Sequence, residues 1–271
     1  MNSMKSKLKI YCLTALFLTA ILTVLRCLSL FFFYSPEIGY FDSSAITVTS
    51  NALYVTGAVW LFSPLLFIPK GAISTKFTSS RTSHKSCSSF SAVMFLFAFA
   101  TSLLSGKLTL SVILTAAAFL AATAFFALSA FGGGKWDTPK AICSLAPTLS
   151  LILVLASIYF DLKIAMNSPH KIVGGIILMT AMVFFLCETR IFLDKPLPRL
   201  HFASGLVTFF LGASYALSSV IYLLIASPRA FVAHPITLGK MGYLGVIIGV
   251  SVYAASRCLL FGDAEKPQAD V

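Results

Sequence analysis

The sequence predicts an all-α polytopic membrane bundle of about eight spans, and three observations predict it. Hydrophobic residues fill 58% of the 271 positions and charged residues only 11%. Mean hydropathy is +0.92. Apolar segments long enough to cross a bilayer recur along the whole chain. A soluble domain of this length would need more charge on its surface. The net charge of +11, from 20 basic and nine acidic residues, would suggest nucleic acid in a soluble protein. Here the basic residues sit in short loops, as the positive-inside rule requires, and no nucleic-acid partner is expected.

The first segment, 10–34, follows Lys5, Lys7 and Lys9 and so mimics a signal peptide. Its apolar run is too long for a signal core and lacks a good cleavage site, so it reads as an uncleaved span. Ala15, Thr19, Thr23, Arg26 and Ser29 follow three- and four-residue spacing, a small and polar stripe suited to facing other helices. Arg26 lies about 25 Å into the span, at 1.5 Å per residue. An arginine at that depth needs a partner or a route to the interface. Pro36 and Gly39 then turn the chain, leaving Glu37 and Asp42 within reach of the arginine. Ordering of that turn by Arg26 is the plainer reading, and contact with a solute or ion the sharper one.

This stretch resembles a group of uncharacterised multi-pass membrane proteins of Firmicutes. These carry a Leu-Arg pair near the end of the first span and then an Asp-Pro-Glu-Thr-Gly-aromatic turn. The matching residues are Leu25, Arg26, Pro36, Glu37, Gly39, Tyr40 and Phe41, while Ser35 and Ile38 replace the usual Asp and Thr. The resemblance covers about the first 45 residues and implies a source and a topology, not an activity.

Segment two, 45–68, places Asn51 and Tyr54 on one face with Thr47 and Ala58, at a depth matching Arg26. These three, Arg26, Asn51 and Tyr54, read either as an interhelical hydrogen bond or as a polar pocket open to the outside. Segment three, 88–105, is short and tightly linked through Ser105-Gly-Lys107 to segment four, 108–131. A re-entrant piece there, leaving seven spans, is the alternative. Gly132-Gly-Gly-Lys135 lacks the ending of a phosphate loop and reads as a helix stop. Segment five, 141–160, carries Pro147, and segment two Pro64, each expected to kink its helix.

Segment six, 171–193, holds Glu188 and Arg190, and segment eight, 241–261, holds Arg257. Glu188 lies 17 residues below Lys171 and Arg257 16 below Met241, so both lie about 25 Å down. An interhelical salt bridge between them is expected, since a lone buried charge would be costly. Arg190 faces the other way and should reach for the interface. Segment seven, 202–226, repeats Ser204, Thr208, Gly212 and Ala216, and segment eight carries Gly242, Gly245 and Gly249, all packing signals.

With the N-terminus inside, the inner segments hold Lys5, Lys7, Lys9, Lys70, Lys76, Arg81, Lys85, Lys135, Lys140, Arg190, Lys195, Arg199, Arg257 and Lys266. The outer loops hold Lys107, Lys163, Lys171, Arg229 and Lys240. This asymmetry predicts both termini in the cytoplasm of a bacterial inner membrane. Residues 1–262 form one transmembrane domain and 263–271 a short polar tail. The loop 70–89 is expected to lie near anionic headgroups.

His84, His170, His201 and His234 read as isolated, and His84-Lys-Ser-Cys87 has no second ligand pair. No catalytic, metal or cofactor motif is present, and the six cysteines lack disulfide spacing. The expected activity is therefore non-enzymatic handling of a small solute or lipid, by a carrier or the membrane subunit of a transport assembly. Its partners would be the bilayer and, in an assembly, a membrane or ATPase subunit. The rival class is a structural or regulatory protein whose buried charges only fix its packing.

Overall fold

The computed structural model describes residues 2–35, 40–69, 73, 82–104, 109–131, 141–160, 168–226 and 235–263. It contains eight helices long and apolar enough to cross a membrane. The protein is an all-α, multi-pass membrane protein.

Helix α1 is Asn2–Phe32, followed by a hairpin of β1, Tyr34–Ser35, and β2, Tyr40–Phe41. Tyr34 pairs with Phe41 and Ser35 with Tyr40. The Pro-Glu-Ile-Gly turn between them, with Glu37, lies outside the described residues. Ser44 caps α2, Ala45–Phe62, by accepting a hydrogen bond from the Thr47 amide at 3.1 Å. Pro64 ends α2 and opens a one-turn α3, Pro64–Phe67, so the expected kink is a break. Arg199 Nη1 donates to the Leu65 and Ile68 carbonyls that this break leaves at the end of α3.

The third span, α4, is Thr82–Leu104, 23 residues long. It begins six residues earlier than its apolar run suggests, which removes the re-entrant alternative and shortens the expected loop 70–89. The reason is local. His84, Ser88 and Ser91 form a buried polar stripe on α4, and Ser91 Oγ donates to the Gly249 carbonyl at 2.7 Å. Then come α5, Leu110–Phe131, and α6, Leu145–Phe160. A helical turn at 141–143 precedes α6 and breaks at Ser144, three residues before Pro147. Helix α7, Pro169–Phe192, starts with a Ser168 cap and Pro169 at its first position. It ends at Asp194, whose φ of 54° lets the Lys195 amide return to the Arg190 carbonyl at 3.0 Å. Arg190 Nε donates to the Lys195 carbonyl, so this arginine caps its own helix at the interface as its spacing suggested.

The last two helices, α8, Pro198–Ala226, and α9, Pro235–Asp263, are central. In the α9 span 78% of the residues are buried, against 33% in α1. Helices α8, α9, α4, α5, α6 and α7 pack in succession into a closed ring, and the α1–α2 pair docks outside it on α8. Inside the ring lies an aromatic core of Phe95, Phe119, Phe125, Phe126, Phe184, Phe185 and Tyr253. A second core, with Leu22, Leu61, Phe210 and Tyr215, joins α1 and α2 to α8 and α9. Small residues set these contacts. A Cβ on Gly249 would lie 3.1 Å from Met94 Cβ, and one on Gly205 2.7 Å from Cys258 Sγ. Eight crossings bring both chain ends to one face, here the termini side. Accordingly Cys258 Sγ donates to the Phe202 carbonyl at 3.6 Å and is near Cys12.

Candidate functional site

Among the described residues, the two buried arginines each centre a polar group, one in each half of the bundle. On the termini side, Glu188 of α7 is 0% exposed. Arg257 of α9 grips it from one edge, Nε donating to Oε2 at 3.1 Å and Nη2 to Oε1. Tyr253, one turn earlier on α9, donates to Oε1 at 3.0 Å. His201 of α8 brings Nε2 to 2.9 Å from Oε2, without the alignment of a good hydrogen bond. Each carboxylate oxygen thus has two neighbours, three of the four contacts being hydrogen bonds and the fourth the close approach of His201. His84 of α4 extends the cluster, its Nδ1 3.0 Å from Ser256 Oγ and its ring 5.5 Å from that of Tyr253. Ser144 donates to Thr189 Oγ1 at 2.9 Å, tying α6 to α7 beside it.

Glu188 and Arg257 therefore meet as their matched depths imply. His84 and His201 do not stand isolated, and this corrects the sequence reading. The missed signal was symmetry about a turn. Glu188 lies a few residues before the α7–α8 connection and His201 a similar number after it, which puts them at one depth. Tyr253 was detectable as the residue four before Arg257 on the same helix face.

The far-side group is built around Arg26. Its side chain is 1% exposed, and Nε and Nη2 have no hydrogen-bond partner. The guanidinium carbon lies 4.5 Å from the centre of the Phe41 ring and 5.8 Å from that of Tyr54. Tyr34, Tyr54 and Tyr215 all lie near enough to feel its charge. Burial, and then the Tyr222 phenol, raise the pKa of Tyr34, with Arg26 opposing, so Tyr34 stays a neutral phenol. Its ring meets that of Tyr222 edge-on at 5.9 Å, which fastens the hairpin to α8. Asp42 makes no ion pair with Arg26 among the described residues, and Glu37 lies outside them.

Tyr54 belongs to this group, but Asn51 does not. The buried face of α2 is Thr47, Ser50, Tyr54, Gly57 and Leu61, whereas Asn51 is exposed on the outward face. A 3.6-residue period permits a step of three or four from Thr47, and the chain takes three, to the smaller Ser50. Gly57 explains why, since a Cβ there would lie 2.6 Å from the Phe210 ring of α8. The Tyr54 Oη and Ser50 Oγ atoms are buried without partners, Tyr54 lying near Ser214 but not in good geometry with it. Tyr243 Oη, beside Tyr215, is in the same condition. Lone hydroxyls of Ser88, Thr148 and Thr208 are also unpartnered. Among the described residues, Arg26 is the buried charge whose donors lack partners, and the nearby Tyr54 ring carries a hydroxyl in the same state.

Among the described residues, no three His, Cys, Asp or Glu side chains are placed to hold a metal ion. No family model, curated protein or solved structure matches the chain.

Proposed function

We propose that this membrane protein handles a small solute or lipid without chemical conversion, as a carrier or as the membrane subunit of a transport assembly, in a bacterial cytoplasmic membrane. Its occupant is held by the far-side group of Arg26, Tyr54 and Ser50. One observation carries this reading: the Glu188 carboxylate is ion-paired and hydrogen-bonded at both oxygens from within the chain, whereas buried donors of Arg26 have no partner. A buried donor without a partner costs about 1–3 kcal/mol, and more when charged. Stacking on Phe41 and Tyr54 offsets part of that for Arg26, by about 2 kcal/mol in a desolvated site. A bound solute would meet the remainder.

The test is accessibility. In Ser50→Cys protein in sealed cells, a small membrane-impermeant thiol reagent should modify the new cysteine from the far side. The buried native Cys187 and Cys258 serve as internal controls. A Ser50→Cys as inert as Cys258 would favour the rival reading, a structural or regulatory protein. That reading has the ion-paired Glu188 cluster in its favour, because such a cluster fixes α7, α8 and α9 without needing a ligand.

A further inference from the structure

We infer that the Nε–Nη2 edge of Arg26 is the seat of an oxyanion, a carboxylate or phosphate group carried by a free solute or a lipid headgroup. The inference rests on the far-side group being the occupied one and names the chemistry it takes. Nε and Nη2 lie side by side on one edge of the guanidinium, the edge that grips two oxygens in parallel. The same protein shows that edge in use. Arg257 holds Glu188 with this pair of nitrogens, one on each carboxylate oxygen. In Arg26 the two equivalent nitrogens are both buried and both unpartnered.

The surroundings suit an anion and not a cation or a neutral apolar group. Arg26 contributes a full positive charge, and no carboxylate among the described residues neutralises it. The guanidinium carbon lies 4.5 Å from the Phe41 ring centre and 5.8 Å from that of Tyr54, cation–π contacts that consume none of its N–H donors. The Tyr54 hydroxyl and, one turn earlier on the same face of α2, that of Ser50 are buried without partners, and we assign them as candidate donors to the outer oxygens of a phosphate. Phe41 lies on the short hairpin between α1 and α2, at the edge of the group and outside the α8–α9 core.

The experiment uses the full chain in nanodiscs, with the thermal unfolding midpoint as readout. Inorganic phosphate and acetate are titrated against chloride at constant ionic strength, in pure phosphatidylcholine and in discs containing phosphatidylglycerol. An oxyanion bound to the native state raises the midpoint by mass action. Stabilisation by phosphate or acetate in phosphatidylcholine identifies a free oxyanion. Stabilisation by phosphatidylglycerol, with no further gain from phosphate, identifies a headgroup. In either case Arg26→Gln should weaken the apparent affinity about tenfold or more, the loss expected with charge-assisted hydrogen bonds. Arg26→Lys, which keeps charge but not the two-pronged edge, should fall between. If Arg26→Gln does not fold, Tyr54→Phe and Arg26→Lys decide the matter, each by a loss of affinity.

Anion responses unchanged in the variants, or absent from the wild type, overturn the inference. So does a Glu37→Gln variant that matches Arg26→Gln in instability, with no additive loss in the double variant and no anion response. That pattern would make Glu37 the partner. If the Ser50→Cys reagent test succeeds while every anion test fails, the site takes a neutral occupant. The proposed function then stands without this inference.

Discussion

At the scale of single residues, the two buried arginines differ in what meets them. Breaking the Arg257–Glu188 pair from one side leaves a buried charge, so Glu188→Gln should cost roughly 3–5 kcal/mol in folded-state stability. Tyr253→Phe removes one hydrogen bond to a charged acceptor and should cost about 1.5–3 kcal/mol. Thermal or denaturant unfolding in detergent measures both, and Tyr253→Phe as damaging as Glu188→Gln would contradict the assigned geometry. A charge exchange, Glu188→Arg with Arg257→Glu, should recover part of what either single change loses. Recovery stays partial because His201 and Tyr253 would then face a cation. A double variant no better than the worse single would mean the pair does not contribute as drawn. The Glu188–Arg257 contact was legible because depth along two spans is simple arithmetic. His201 gives no signal along the chain, because its match in depth to Glu188 shows only across the turn joining α7 to α8. The contact of Phe41 with Arg26 left no trace beyond the turn motif, since a hairpin of two-residue strands carries no periodic signal.

At the scale of the helix, hydropathy located the spans but not their polar ends. The start of α4 is rich in serine and carries His84 and Lys85, so it scores as loop. Two residues of its buried face are nonetheless met by α9, His84 by Ser256 and Ser91 by the Gly249 carbonyl. Polar helix ends of this kind are visible only when the partner helix is known. The glycine spacing of α9 was easier, because close helix approach demands small residues whatever the neighbour. Gly249→Leu should accordingly push α4 from α9 and sharply lower the folded yield, since its Cβ alone would lie 3.1 Å from Met94 and 3.5 Å from the Ser91 backbone. Gly175→Ala is the contrast. Its Cβ would meet only Leu155 Cδ1, at 3.8 Å, so the change should be tolerated. Size-exclusion profiles of the two variants separate these outcomes. Equal damage would show that helix propensity or insertion, not the α4–α9 contact, sets the yield.

At the scale of the whole molecule, the helix ring explains where a response to ligand can occur. The ring α8–α9–α4–α5–α6–α7 closes around aromatic side chains, while α1 and α2 lie outside it. Arg26 sits at the seam between the closed ring and the docked pair, so the proposed occupant would bear on α1, α2 and the core they share with α8, not on the aromatic core of the ring. Whether such an occupant comes from outside the cell depends on orientation, and the charges address that. Arg257 and Lys171 prove to be buried, 6% exposed each, and so do not count as loop charges. Discounting them leaves 13 basic residues on the termini side against four on the far side, and the asymmetry is sharper than the full count. We therefore expect a reporter fused after Val271 to be cytosolic and a cysteine introduced near Asn167 to be labelled in intact cells. Labelling near Asn167 only after permeabilisation, with an externally exposed fusion, would invert the bundle. Arg26 would then face the cytosol, and its oxyanion would have to be drawn from there.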